Sequence, residues 1–213
     1  MSNSRDIILE KIRKAQAAGA TKGLAIELTP EEASASVFVP PVGDLSENFK
    51  SELEKISGTC FIVDNYSEAS TKINEILTAE QVDEVLCLEP QLLQQLQTVP
   101  STNDISVVRT CKASITGCEF LSSRTGSVMV SNANALGRRP HVAPEIHIVI
   151  AKQSQVVPDI EDAIAGMLEK YSGTLPSWVS NITGPSRTAD IEKTLILGAH
   201  GPKKIIVFII KNQ

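Results

Sequence analysis

Short apolar runs alternate with segments of helical periodicity along most of the chain. Residues 59–63 and 85–88 are continuous apolar runs, as expected for strands that are covered on both faces. Between them, residues 67–77 repeat their apolar positions at helical spacing. Alternation of this kind predicts an α/β protein in which helices lie on the faces of a mostly parallel sheet.

The same patterns assign the other elements. Asp44, followed three residues later by Glu47, has the form of a capping box that opens a helix through about residue 56. The predicted helices span residues 4–18, 44–56, 67–77, 92–96, 159–171 and 188–197. The predicted strands span residues 59–63, 85–88, 105–108, 127–130, 145–150, 179–183 and 205–210.

Glycines and prolines interrupt residues 19–43, which predicts a connection with little regular structure. We therefore expect residues 1–43 to form a helix with its connecting segment, serving as an arm on the main body or on a partner. Because no internal repeat or low-complexity linker follows, residues 44–213 are expected to form a single α/β domain.

The net charge and its uneven distribution along the chain limit the kinds of molecule that the protein is expected to bind. The net charge is −5, yet the first 110 residues hold 9 Lys and Arg against 17 Asp and Glu, and the remainder 11 against 8. An acidic chain with 4% aromatic residues argues against a nucleic-acid binder. A mildly basic second half is compatible with a small anionic metabolite, and chance variation in surface charge accounts for it equally well.

The chain shows neither export nor membrane signals. Its apolar runs fall short of the roughly 20 residues that cross a bilayer, so we expect no membrane span. The first residues lead into an amphipathic pattern rather than the apolar core of a signal peptide, which predicts a cytoplasmic protein.

The cysteines and histidines do not form a recognisable cofactor motif. The four cysteines include no C-x-x-C pair, so we expect structural thiols and neither a metal, a disulfide nor an iron–sulfur cluster. His141 and His147 are too isolated in the sequence to suggest a metal pair. Markers of hydrolases, P-loop proteins and dinucleotide-binding proteins are absent, and no cofactor is predicted.

The most informative stretch is the turn Gly184-Pro185-Ser186-Arg187, which is predicted to open the helix over 188–197. Ser186 or Thr188 can cap that helix, and Asp190 suits its first turn. Unpaired amides at a helix start, together with the guanidinium of Arg187, favour an anion site. An ordinary capped helix with an exposed arginine explains the same residues.

Three other segments carry candidate binding residues. His200 lies between two glycines just after the predicted helix, about 15 Å from the turn at 1.5 Å per residue, so the two are expected to belong to different sites. Two earlier segments, 115–118 and 123–127, contain small residues that allow a backbone to approach a ligand closely. The candidates in these segments are Thr116, Gly117, Arg124, Thr125 and Gly126. Arg138 and Arg139 stand in a polar loop that is more typical of solvated surface.

Taken in order, these motifs resemble the LUD domain family, and within it the branch concerned with lactate utilisation. The likeness covers about residues 45–213 and is strongest in 110–213, where the pair formed by GPSRTADIE and the GxHGP segment at 198–202 is specific to this family. It implies a three-layer α/β/α fold similar to the superfamily of sugar-phosphate isomerases and CoA transferases. It also implies an accessory part in the oxidation of L-lactate to pyruvate, alongside iron–sulfur partner proteins.

Arg124 departs from the family pattern, in which an acidic residue commonly precedes the Thr-Gly pair. An arginine stays protonated and cannot act as a nucleophile or general base, although it can strengthen anion binding. The functional alternatives are an accessory subunit that binds a small carboxylate or a partner, and an independent enzyme acting on a phosphosugar, CoA or folate-like anion. The third alternative is a protein-binding module that docks through its first helix. Its partner can also be a second copy of the chain, which would form a homo-oligomer.

Overall fold

A computed structural model describes residues 4–17, 41–133, 137–188, 196–198 and 200–211. The chain divides into two units. The described part of the first unit, Met1–Val39, is one helix, Ser4–Ala17, and every other described element belongs to the second unit, Pro40–Gln213. The predicted boundary between residues 43 and 44 stays a prediction.

The elements are numbered in chain order. The described helices are α1 Ser4–Ala17, α2 Leu45–Lys55, α3 Tyr66–Ala79, α4 Pro90–Gln95, α5 Arg139–Val142 and α6 Ile160–Lys170. The described strands are β1 Thr59–Val63, β2 Val85–Cys87, β3 Ser101–Thr102, β4 Ala113–Thr116, β5 Phe120–Ser122, β6 Ser127–Ser131, β7 Ile146–Lys152, β8 Val156–Val157, β9 Val179–Ile182, β10 Arg187–Thr188, β11 Ile196–Leu197 and β12 Lys204–Ile210. Two 3-10 helices, Ile105–Arg109 and Gln153–Gln155, also occur among the described residues.

A parallel sheet forms the centre of the second unit. Its described strands lie in the order β1-β12-β7-β4-β2-β3, and every neighbouring pair runs parallel. Strand β12 is buried on both faces because Phe208 packs with α3 and α4 on one side, whereas Val207 packs with α2 on the other. The predicted continuous apolar strands therefore arise from burial on two faces.

A smaller sheet lies on the same face as α2. Its order is β8-β5-β6-β9, and Leu121 and Val128 join the core beneath α2. Met129 packs against Ala163 and Met167 of α6 in a separate apolar cluster. The central sheet with helices on its faces confirms the predicted three-layer α/β/α architecture.

The start of α2 lies where the sequence predicted it, with Asp44 as the N-cap. The Asp44 carboxylate accepts hydrogen bonds from the backbone N–H groups of Ser46 at 2.7 Å and Glu47 at 3.2 Å. Most other predicted elements begin and end within two residues of the observed ones.

The predicted strand at 105–108 is wrong. These residues form the 3-10 helix Ile105–Arg109, because Asp104 caps it by accepting from both the backbone and the hydroxyl of Ser106, at 2.8 and 2.7 Å. Local side-chain bonding of this kind competes with strand formation. The neighbours of β2 in the sheet are instead β3 and β4, and the last residues of β4 were predicted only as a ligand motif.

The predicted helix at 188–197 is also wrong at both described ends. Strands β10 and β11 pair antiparallel, with Arg187 opposite Leu197. The backbone N–H of Gly198 donates to the carbonyl of Ser186 at 2.9 Å, which extends this pairing. Residues 189–195, including the candidate Asp190, lie outside the described part of the chain.

Candidate functional site

Three parallel strands end beside a cleft at one edge of the central sheet. Glu89 follows β2, Gly117 follows β4, and Lys152 ends β7. Lys170, the last residue of α6, closes another side. The cleft encloses about 360 Å³. Because ligands of open α/β sheets bind outside the carboxyl ends of the strands, this cleft is the candidate site.

Polar side chains dominate the lining of the cleft. The main ones are Tyr66, Glu89, Gln91, Gln95, Lys152 and Lys170. Leu92 and Ile150 supply part of its apolar floor. A polar, solvent-open cleft of this size suits a small charged or hydroxylated molecule.

The carboxyl group of Glu89 is held by the backbone at the end of β4. Its Oε1 accepts the backbone N–H of Gly117 at 2.7 Å, and it makes no capping bond to α4. A Cβ at position 117 would lie 2.9 Å from Glu89 Oε2, so glycine permits this approach. Burial raises the pKa of Glu89, the Gly117 bond lowers it, and the nearby Glu119 raises it further, with a net increase. Glu89 therefore binds a proton more readily than an exposed carboxylate does.

A buried carboxylate fixes Lys170 at the rim. Glu119 is fully buried; its Oε2 accepts from Lys170 Nζ at 2.7 Å, and its Oε1 accepts from Ser131 and Tyr171 at 2.5 and 2.8 Å. Burial raises the pKa of Glu119, but these hydrogen bonds and the lysine charge lower it by more, so the net direction is downward. The ionised Glu119 thus keeps a cation at the cleft.

Gln155 ties two walls of the cleft together. Its side-chain amide donates to the carbonyls of Cys118 and Glu119 at 2.7 and 3.1 Å, and its oxygen accepts the backbone N–H of Lys152 at 2.8 Å. Burial strongly raises the pKa of the Cys118 thiol, which therefore stays protonated and lacks the thiolate a nucleophile needs.

Of the sequence-predicted candidates, Gly117 lines the cleft and Thr116 lies just behind it. Thr116 is buried, and its hydroxyl bonds to His147 Nε2 at 2.8 Å and to the carbonyl of Gly117 at 2.9 Å. The close approach expected of Gly117 is made to Glu89. Sequence reasoning missed Glu89 because a glutamate before Pro90 has the appearance of an ordinary helix start.

Arg124, Thr125 and Gly126 form the turn between β5 and β6, away from the lining of the cleft. The guanidinium of Arg124 donates to both carboxylate oxygens of Asp159, at 2.6 and 2.8 Å, and Asp159 caps α6. This contact lowers the pKa of Asp159. Gly126 has φ +59° and packs on the backbone of α2, where an added Cβ would lie 2.4 Å from Leu53 N.

The Gly184–Arg187 turn packs against the end of the same helix. Gly184 has φ +76°, and a Cβ there would lie 2.9 Å from the carbonyl oxygen of Ile56, the C-cap of α2. Arg187 Nη2 donates to that carbonyl, which suits a cation at a helix C-terminus. Pro185 is buried beside Gly184, and the backbone of Thr188 lies in β10.

The predicted separation of this turn from the His200 segment is wrong. The backbone N–H of Ser186 donates to the carbonyl of Pro202 at 2.8 Å, so the two segments lie side by side, with His200 exposed. Pro202 comes just before β12 and therefore lies at the amino end of that strand, and its bond to Ser186 holds the turn there too. The seven residues of β12 span about 20 Å at roughly 3.3 Å per residue, so this end and the cleft are separate places.

The two internal histidines, distant in sequence, meet in the fold. The rings of His141 and His147 are buried with centroids 5.5 Å apart, and His141 stacks on Trp178 at 5.7 Å. Across the described ranges, no group of three or more metal-ligating side chains is assembled.

The Arg124–Asp159 contact can be tested by a double-mutant cycle. We expect a coupling of about 1 kcal/mol in the free energy of unfolding, since a bidentate pair that is partly solvated stabilises only modestly. Urea unfolding of Arg124→Met, Asp159→Ser and the double variant measures it, and serine keeps a capping oxygen on α6. Additive losses in the double variant would show that the pair contributes nothing.

Comparisons with known proteins place this geometry in a family context. The model of the LUD domain matches residues 102–210. Lactate utilization protein C of Geobacillus kaustophilus is 32% identical over 112 residues, which is 52% of this chain and 47% of that protein. Lactate utilization protein C of Bacillus subtilis is 32% identical over 101 residues, 46% of this chain and 42% of that protein. The chain spans about half the length of the curated relatives it matches.

A DUF162 family protein from Deinococcus radiodurans superposes with a TM-score of 0.57 at 16% identity, covering 80% of this chain and 99% of that protein. This likeness supports the fold. No helix among the described residues is long and apolar enough to cross a membrane.

Proposed function

The chain belongs to the LUD domain family, and on that premise we propose that it is an accessory component of L-lactate utilisation. The observation that carries the proposal is the 32% identity to proteins named lactate utilization protein C, over a stretch equal to half of this chain. In this role it supports the oxidation of L-lactate to pyruvate in the cytoplasm, and iron–sulfur partner proteins carry the electrons.

The cleft at the carboxyl edge of the sheet gives this component a place for a small anionic metabolite. Lys152 and Lys170 line it, and Glu119 holds Lys170 in position. Its volume of about 360 Å³ is near the lower end of small-molecule sites. That size favours a short metabolite over the phosphosugar, CoA or folate-like substrates of the alternative, an independent enzyme.

Deleting the gene is expected to slow growth on L-lactate as the sole carbon source, with growth on glucose unchanged. The reason is that an accessory component limits only the pathway it serves. Growth curves of the deletion strain and of a strain that carries the restored gene measure the effect. Equal growth of the deletion and parent strains on L-lactate would refute the proposed role.

A further inference from the structure

One acidic residue and two basic residues line the same cleft from different elements. Glu89 lies on the link between β2 and α4, Lys152 ends β7, and Lys170 ends α6. The three are brought together by the parallel sheet and by the packing of α6, not by proximity in sequence. Such a cleft presents cations to an anionic group and a carboxyl group to a second, hydrogen-bonding group.

We propose that this cleft binds a short monocarboxylate with a hydroxyl or oxo group on the carbon next to its carboxylate. The ligand's carboxylate is held by Lys152 and Lys170, and Glu89 bonds its second oxygen. The class of metabolite in this assignment rests on the proposed function. The position of the site rests on the geometry of the cleft.

The anchoring of Glu89 suits it to this task. Oε1 accepts the Gly117 N–H, and among the described residues no group donates to Oε2. An ionised Glu89 accepts a hydrogen bond from a hydroxyl group, and a protonated one donates to an oxo group. The charged groups that act on it are Glu119 and Lys170, and burial has the largest effect, raising its pKa. Glu89 can therefore bind both a 2-hydroxy acid and the corresponding 2-oxo acid.

The two lysines have distinct roles in this arrangement. Lys170 is bonded to the buried Glu119 and is fixed in place, so its removal would also leave a buried carboxylate without its cation. Lys152 is exposed, and its backbone N–H is held by Gln155. Lys152 is consequently the better position for a test, because its side chain can be replaced with little effect on folding.

Isothermal titration calorimetry of the full chain with L-lactate, pyruvate and propionate tests the assignment. Propionate has the same carboxylate but no oxygen on the neighbouring carbon. We expect L-lactate and pyruvate to bind about tenfold more tightly than propionate. One hydrogen bond to a charged or strongly polar group raises the affinity by about a factor of ten. Lys152→Met is expected to weaken all three acids by about tenfold, since it removes a carboxylate partner.

Glu89→Gln separates the two ligand forms. Its amide oxygen still accepts the Gly117 N–H, and its amide nitrogen then faces the ligand as a donor. We expect the affinity for L-lactate to fall about fivefold or more relative to that for pyruvate, since the acceptor for the hydroxyl group is lost. Lys55→Met is the matched control, because Lys55 is an exposed lysine of α2 that does not line the cleft, and it should bind as the parent does.

Circular dichroism and melting temperature confirm that each variant is folded. If the folded parent shows no saturable heat with either L-lactate or pyruvate, or if Glu89→Gln and Lys152→Met bind as the parent does, the inference is wrong. Loss of growth on L-lactate without binding overturns the cleft assignment alone. Binding with normal growth of the deletion strain upholds the cleft and overturns the accessory role.

Discussion

Replacing Gly126 with alanine is expected to lower the free energy of unfolding by about 3 kcal/mol. Its φ of +59° lies in the left-handed region, which costs an alanine about 1 kcal/mol. A Cβ would also lie 2.4 Å from Leu53 N and 2.7 Å from the carbonyl carbon of Glu52. Both atoms belong to the backbone of α2 and cannot rotate away, so the helix must shift, and such overpacking costs about 2 kcal/mol. Urea unfolding at pH 7 measures the loss.

Gly173→Ala is the matched control for this experiment. Gly173 has φ +83°, yet nothing lies within 4 Å of an added Cβ. Its loss should therefore be limited to the backbone strain, about 1 kcal/mol. Equal losses for the two variants would show that the contact of Gly126 with α2 does not contribute to stability.

Acid is expected to destabilise the protein steeply below pH 6.5, because of the buried histidine pair. Burial lowers the pKa of His141 from 6.5 to about 4, although the nearby Ser131 backbone and Glu119 oppose the shift. Burial and the neighbouring His141 lower the pKa of His147 to about 3. Among the described residues, neither ring nitrogen of His141 has a hydrogen-bond partner. Both rings are therefore neutral in the folded protein above about pH 4.

The sign of the effect follows from the unfolded chain, in which each histidine takes up a proton near pH 6.5. Below that pH the unfolded state binds more protons than the folded state does, so stability falls as the pH decreases. At pH 4.5 each histidine removes about 2.5 kcal/mol relative to pH 7, and the pair about 5 kcal/mol. This loss is a large share of the stability of an ordinary domain.

The His141→Phe variant should lose only about 2.5 kcal/mol of stability between pH 7 and pH 4.5, half the loss of the parent. One titrating ring is removed, while an aromatic ring is kept against Trp178. Urea unfolding at several pH values between 7 and 4.5 gives the comparison. His200→Gln is the control, because His200 is exposed and its variant should show the full loss of the parent. A pH dependence that is identical in parent and His141→Phe would disprove the role of the buried pair.

Two motifs that were predicted as binding segments share a structural partner in the fold. Gly126 packs against the last turn of α2 at Glu52 and Leu53, and Gly184 and Arg187 pack against the C-cap carbonyl of that helix at Ile56. Ser127 Oγ and Thr183 Oγ1, 2.8 Å apart, join the two motifs. The close backbone approaches that glycine permits at these positions are thus made to a helix, and ligand binding by these residues stays a prediction.

The periodicity of apolar residues predicted the main elements because it records burial, which is local to each element. Continuous apolar runs indicated strands that are covered on both faces, and the capping residue Asp44 marked the start of α2. The same reasoning failed at 105–108 and 188–197. In the first segment, a hydrogen bond accepted by the Asp104 side chain started a 3-10 helix. In the second, the two described ends pair with each other as antiparallel strands, which helical spacing did not predict.

The sequence by itself determined the class of fold, the order of the motifs and the glycines that a close approach requires. The tertiary structure alone decided which edge of the sheet each motif occupies. Strand order depends on contacts between elements far apart in the chain, which no local pattern records. For that reason Glu89 meets Gly117, 28 residues later, and Lys170 joins them, while the Gly184–Arg187 turn lies with His200 at the opposite edge.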